Sequence, residues 1–149
     1  MIFGKDDPAP VLLEELEDGI GGFVIQEALL SDGAGYSVDG VGDVNGDGLD
    51  DLIVGAPLSE VMGASGAGRA YLVYGKEDGD PVALAEVELG IGGLVFTGEQ
   101  ADARAGWSVA GAGDLDGDGR GDLIIGAPHH SHDADASSGR AYAVFTGNL

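Results

Sequence analysis

The chain has 149 residues, 44% of them apolar, and carries 27 acidic against 6 basic side chains for a formal net charge of −21. That charge excludes nucleic acid and anionic membrane as electrostatic partners, since both are recognised by basic patches. The lack of any long apolar run excludes insertion into a membrane by a spanning helix. With no cysteine, disulfides and thiolate metal sites are also excluded, so any metal must be held by oxygen or imidazole. The length suits about one domain, and residues 1–7 show no signal peptide, having no basic region followed by an apolar stretch.

The first element is a short helix over residues 11–17, opened by Pro10 at a helix-start position. Four strands follow at 23–26, 36–41, 52–55 and 70–74. They are β-branched or aromatic runs separated by Gly, Asp, Pro and Ser, as in short antiparallel strands joined by tight turns. The pattern then repeats without a gap at an offset of 71 residues. Gly35-Tyr36-Ser37-Val38 returns as Gly106-Trp107-Ser108-Val109. Asp51-Leu52-Ile53-Val54-Gly55-Ala56-Pro57 returns as Asp122-Leu123-Ile124-Ile125-Gly126-Ala127-Pro128. Counterpart strands are expected at 94–97, 107–112, 123–126 and 141–145, whereas the helix counterpart, 82–88, is richer in valine and alanine.

The fold class is therefore all-β, with residues 1–149 forming one domain of two repeats, about 6–76 and 77–147. A four-stranded antiparallel unit in tandem is the pattern of a β-propeller blade, which buries its faces against neighbouring blades. Small residues beside Tyr36 and Trp107 suit an inner strand where blades converge and bulk does not fit.

Between the second and third strands of each unit lies an acidic loop. Loop one presents Asp43, Asn45, Asp47 and Asp51, and loop two Asp114, Asp116, Asp118 and Asp122, at positions 1, 3, 5 and 9. Glycine at position 6 permits a sharp bend, and the position 7 carbonyl, of Leu49 or Arg120, can add a main-chain oxygen. Alternating carboxylates around such a turn can supply the ~6–8 oxygens that Ca2+ requires. Two calcium sites are expected. Magnesium suits them less, since it demands tight octahedral geometry. An EF-hand would need a bidentate Glu at position 12, where Val54 and Ile125 stand within strands, so each site is a β-hairpin loop. A lone Asp/Gly-rich stretch is ordinarily a solvated turn, and it is the two copies in register that favour metal.

At these residues the sequence resembles the FG-GAP repeat of the integrin alpha-subunit β-propeller. Gly55-Ala56-Pro57 and Gly126-Ala127-Pro128 match the GAP element, the aromatics Tyr36 and Trp107 precede the small-residue strand, and the acidic loop lies between. Gly-Tyr and Gly-Trp stand where the family name has Phe-Gly. Because Asp51 and Asp122 stand at the start of a strand, calcium is expected to act as scaffold; the resemblance implies an extracellular or cell-surface location, and adhesion or recognition of a protein or glycan ligand through loops near residues 58–67 and 129–138. It also implies a strand order in which 94–97 closes the first blade, while the second has no outer strand after Phe145. Residues 23–26 could supply that strand to a neighbouring copy, which predicts a homo-oligomer completing a propeller; a piece of a longer propeller is the other solution.

No nucleophile-and-base arrangement stands out, so the chain is not expected to be an enzyme; a calcium-dependent polysaccharide-processing domain is the alternative. His129-His130-Ser131-His132-Asp133 has no counterpart in the first unit and reads as an exposed loop rather than a transition-metal cluster. Arg69 and Arg140 are expected to pair with acids, and Tyr36 and Trp107 to pack between blades. Two calcium ions would bring −21 only to −17, and the remaining charge resembles that of proteins from very salty surroundings.

Overall fold

A computed structural model describes residues 12–28, 31–131 and 137–149. In chain order the elements are α1 (Leu13–Glu17), β1 (Ile25–Gln26), β2 (Ser37–Gly42), β3 (Asp51–Ala56), β4 (Arg69–Val73), β5 (Val82–Ala83), α2 (Leu84–Val87), β6 (Gly93–Thr97), β7 (Ser108–Gly113), β8 (Asp122–Ala127) and β9 (Arg140–Val144), with a short 3-10 turn at Thr146–Asn148. All eight expected strands are present, most of them differing from the expected bounds by one residue at each end. Helical turns occur in both units: Leu84 and Val87, three residues apart, turn inward together. The start of the first expected helix, at residue 11, lies outside the described residues.

The strands form two antiparallel blades. The first has the order β2-β3-β4-β6, so its outermost strand comes from the second repeat, as expected; the second has the order β7-β8-β9. Among the described residues no strand lies on the outer edge of β9.

Register explains why β3 and β4 read as nearly continuous apolar runs. Ile53 pairs with Leu72 and Val54 with Tyr71, so alternate side chains face opposite sides of the sheet. Both sides are covered. Ile53, Ala70 and Leu72 pack with Val109, Leu123 and Ile125 of the second blade. Val54, Tyr71 and Val73 pack beneath Leu84 and Val87, with Ile25 and Ala34 against them.

The inner strands β2 and β7 run side by side, and their small residues are required there. The amide of Gly111 donates to Asp39 Oδ2 at 3.0 Å, and a Cβ on Gly111 would meet the carbonyl oxygen of Gly40 at 2.8 Å. The hydroxyl of Ser37 donates to the carbonyl of Gly106 at 3.0 Å.

One expectation is corrected here. Residues 23–26 are not a spare strand: β1 pairs in parallel with β5, Ile25 opposite Val82, and Phe23 is buried. The segment is drawn in because Ile25 finds an apolar surface over the first blade.

Candidate metal centre

Each acidic loop is wound by its own position 1 carboxylate. Asp43 Oδ1 accepts the amides of Gly46 (2.6 Å) and Asp47 (3.1 Å), and its Oδ2 accepts that of Gly48 (2.9 Å). Asp114 does the same with Gly117, Asp118 and Gly119. Position 3 accepts from the amide of position 5, and position 5 from that of position 7: Asp47 to Asn45, Leu49 to Asp47, Asp118 to Asp116 and Arg120 to Asp118. The turn also needs glycine at position 4: Gly46 and Gly117 have φ of +83°, and Gly48 and Gly119 have +92°. Position 4 was missed in the sequence, although glycine stands there in both loops.

Position 9 is different. Asp51 and Asp122 open β3 and β8 and are fully buried. Asp51 Oδ2 accepts the amide of Val44 at 3.0 Å and its Oδ1 that of Gly75 at 2.7 Å. Asp122 accepts equivalently from Leu115 (2.7 Å) and Thr146 (3.0 Å). Burial pushes the Asp51 carboxyl above its ordinary value, against the two amides. In the exposed Asp43, the amide of Gly48 leads a set of backbone bonds that hold the carboxyl below its ordinary value, with Arg120 adding to the effect.

The structure brings together Asp114, Asp116 and Asp122, each offering a carboxylate oxygen within 4.8 Å of the others. Among the described residues this is the one group of three or more His, Cys, Asp or Glu side chains that converges so, and it could hold a metal ion. Asp118 is outside it, with its carboxylate directed against Gly147. In loop one the amide side chain of Asn45 donates to Asp47 Oδ2 at 2.8 Å, and Asp43, Asp47 and Asp51 form no such group. Leu49 and Arg120 occupy position 7 in their loops.

At the opposite end of the blades, Tyr36 contacts Trp107 across the junction with ring centroids 4.7 Å apart. Arg104 lies 5.3 Å over the indole and His129 meets its edge. Arg69 lies 3.7 Å from Asp32 and 3.6 Å from Glu88, and Arg140 lies 3.6 Å from Glu99; both pair with acids as expected. The histidine segment departs from the expected exposed loop. His129 is exposed, but His130 is 2% exposed; among the described residues neither of its ring nitrogens is hydrogen-bonded, and Glu99 lies 3.9 Å from Nε2. His132 and Asp133 lie outside the described residues.

The FG-GAP repeat profile matches residues 34–73 and 105–144, more than half of the chain and both loops. The chain belongs to the FG-GAP repeat family. It is 42% identical to integrin alpha-5 of Xenopus laevis over 98 residues, 63% of this chain and 8% of that protein. Against human integrin alpha-IIb it is 42% identical over 99 residues, 64% of this chain and 9% of the relative. Phosphatidylinositol-glycan-specific phospholipase D of Bos taurus is 36% identical over 103 residues, 69% of this chain and 12% of the enzyme. The FG-GAP chain thus spans about a tenth of the length of the relatives it matches, and its two matched segments cover β2 to β4 and β7 to β9.

Proposed function

We propose that this FG-GAP pair is a calcium-binding β-propeller module acting as a structural, adhesion or protein-recognition scaffold. The observation that carries the reading is the convergence of Asp114, Asp116 and Asp122 within 4.8 Å in a loop whose wiring loop one repeats. The donors are oxygen atoms, which suits a hard cation, and the exposed open loops suit calcium better than magnesium. Asp114, Asp116, Asp118 and Asp122 with the Arg120 carbonyl would hold one ion; Asp43, Asn45, Asp47 and Asp51 with the Leu49 carbonyl would hold the other. When bound, calcium supplies positive charge among crowded carboxylates, and Asp51 and Asp122 then link the ion to the strands they open. The ion's role is therefore to fix the blade.

The integrin relatives favour an extracellular or cell-surface setting and a protein or glycan ligand, and the loops near Leu58 and His129, on the end bearing Tyr36 and Trp107, are the recognition surface in this reading. The homo-oligomer is supported by the open edge of β9 and by the exposure of Ile124 (40%) and Phe145 (44%). Calorimetric titration with calcium tests the proposal: two bound ions per chain and a melting temperature that rises in millimolar calcium are expected. An unchanged melting temperature after chelation, with no binding heat, would sink it.

A further inference from the structure

The side chain of Arg120 does not stay in its own loop. Its NH1 donates to the carbonyl oxygen of Val44 at 3.2 Å, spanning 76 residues and the blade junction. Val44 stands between Asp43 and Asn45, positions 1 and 3 of loop one. Its own amide donates to Asp51 Oδ2, at position 9 of that loop, and its side chain, 3% exposed, belongs to the core between the blades. At the other end of the link, the Arg120 amide donates to Asp118 Oδ1 at 2.9 Å. The neighbouring Gly121 lies so close to the Val41 carbonyl that a Cβ would strike it. One residue thus connects position 5 of loop two to the peptide that separates two donors of loop one.

We propose that the two cation sites are positively coupled and that Arg120 is the positioning residue that couples them. This rests on the calcium reading above. A cation in loop two fixes the Arg120 backbone between Asp118 and Asp122. The guanidinium then holds the Val44 carbonyl, so the peptide between Asp43 and Asn45 is already ordered when loop one binds. Ordering paid for at one site is not paid again at the other, which is cooperativity without a large movement, and linkage makes the effect reciprocal. Loop one has no equivalent device, because Leu49 takes the position of Arg120 and its side chain has no donor to offer.

The test follows calcium occupancy of each loop through the backbone amide resonances of Gly46 and Gly117 in the whole chain, at an ionic strength where the screening length is ~8 Å. Loop two is silenced with Asp114→Ala/Asp116→Ala. In the Arg120 background, silencing should weaken calcium binding at Gly46 by about fivefold or more. With Arg120→Leu, which installs the residue that loop one carries at this position, or Arg120→Met, which keeps an unbranched apolar stem but no donor, the dependence should collapse. Coupling that persists undiminished in these variants, or a Gly46 curve indifferent to loop two in the wild type, would overturn the proposal while leaving calcium binding intact. No calcium response at either glycine would overturn the calcium reading and the coupling together.

Discussion

The carboxylate of Asp51 accepts the amide of Gly75 at 2.7 Å across 24 residues of sequence, binding the end of an acidic loop to the residue just beyond the third strand of its blade. Asp122 and Thr146 repeat the contact in the second blade. Replacing Asp51 with Ala would strand the buried amide of Val44 and the half-buried amide of Gly75, at about 1–3 kcal/mol for each orphaned donor. Chemical denaturation of Asp51→Ala in excess chelator, where metal cannot contribute, should show a loss of about 3 kcal/mol or more. Wild-type stability would refute this structural role.

Asp32 sits beside Arg69 in the rim of the first blade, yet burial outweighs that pairing and raises its carboxyl above the ordinary value of 3.8. Among the described residues its Oδ2 and Arg69 NH1 have no hydrogen-bond partner. A raised folded-state value means the group favours folding most when protonated, below 3.8, and that this contribution is lost as pH rises through the folded value. Asp32→Asn should therefore gain on the wild type between pH 4 and neutrality, about the range above that ordinary value. Paired denaturation curves across that interval check it; a gap that narrows with rising pH contradicts it.

Gly55 lies in β3 where a Cβ would strike the carbonyl of Gly106 and the hydroxyl of Ser37. Gly55→Ala should cost about 1–3 kcal/mol through overpacking, whereas alanine at Gly46 should act through its positive φ in the acidic loop instead. Thermal melts of the two variants, with and without calcium, separate the effects: only the loop variant should lose calcium-dependent stabilisation.

Among the described residues no strand pairs with the outer edge of β9, and an open edge favours association. In calcium, light scattering should report a mass above that of a single 14.9 kDa chain. A monomeric mass would refute completion of the propeller by further copies.

A net charge of −21 opposes compaction by self-repulsion. Molar salt should raise the melting temperature even in chelator, because the Debye length falls to ~3 Å. Indifference to salt would remove support for a salt-adapted surface.

The repeat, its strands and the placement of both acidic loops were legible in the sequence because each depends on local spacing. Alternation of side chains, turn glycines and Asp at odd positions act over a few residues, and the exact offset shows them twice. The burial of His130 was not legible, since the residue stands in a polar run and its environment comes from elsewhere in the fold. Nor was the parallel pairing of Ile25 with Val82, which follows from an apolar surface that exists only once the first blade has formed. The closeness of Asp114, Asp116 and Asp122, against the different hydrogen bonding around Asn45, likewise needs coordinates.

By itself, then, the sequence determined an all-β repeat with two oxygen-rich hairpin loops, because periodicity and turn chemistry are properties of neighbouring residues. Only the tertiary structure decided that Asp51 and Asp122 are buried clasps and that Arg120 reaches Val44. Those contacts join residues 24 to 76 positions apart; strand pairing within each blade brings the clasps together, and the packing of blade against blade brings Arg120 to Val44.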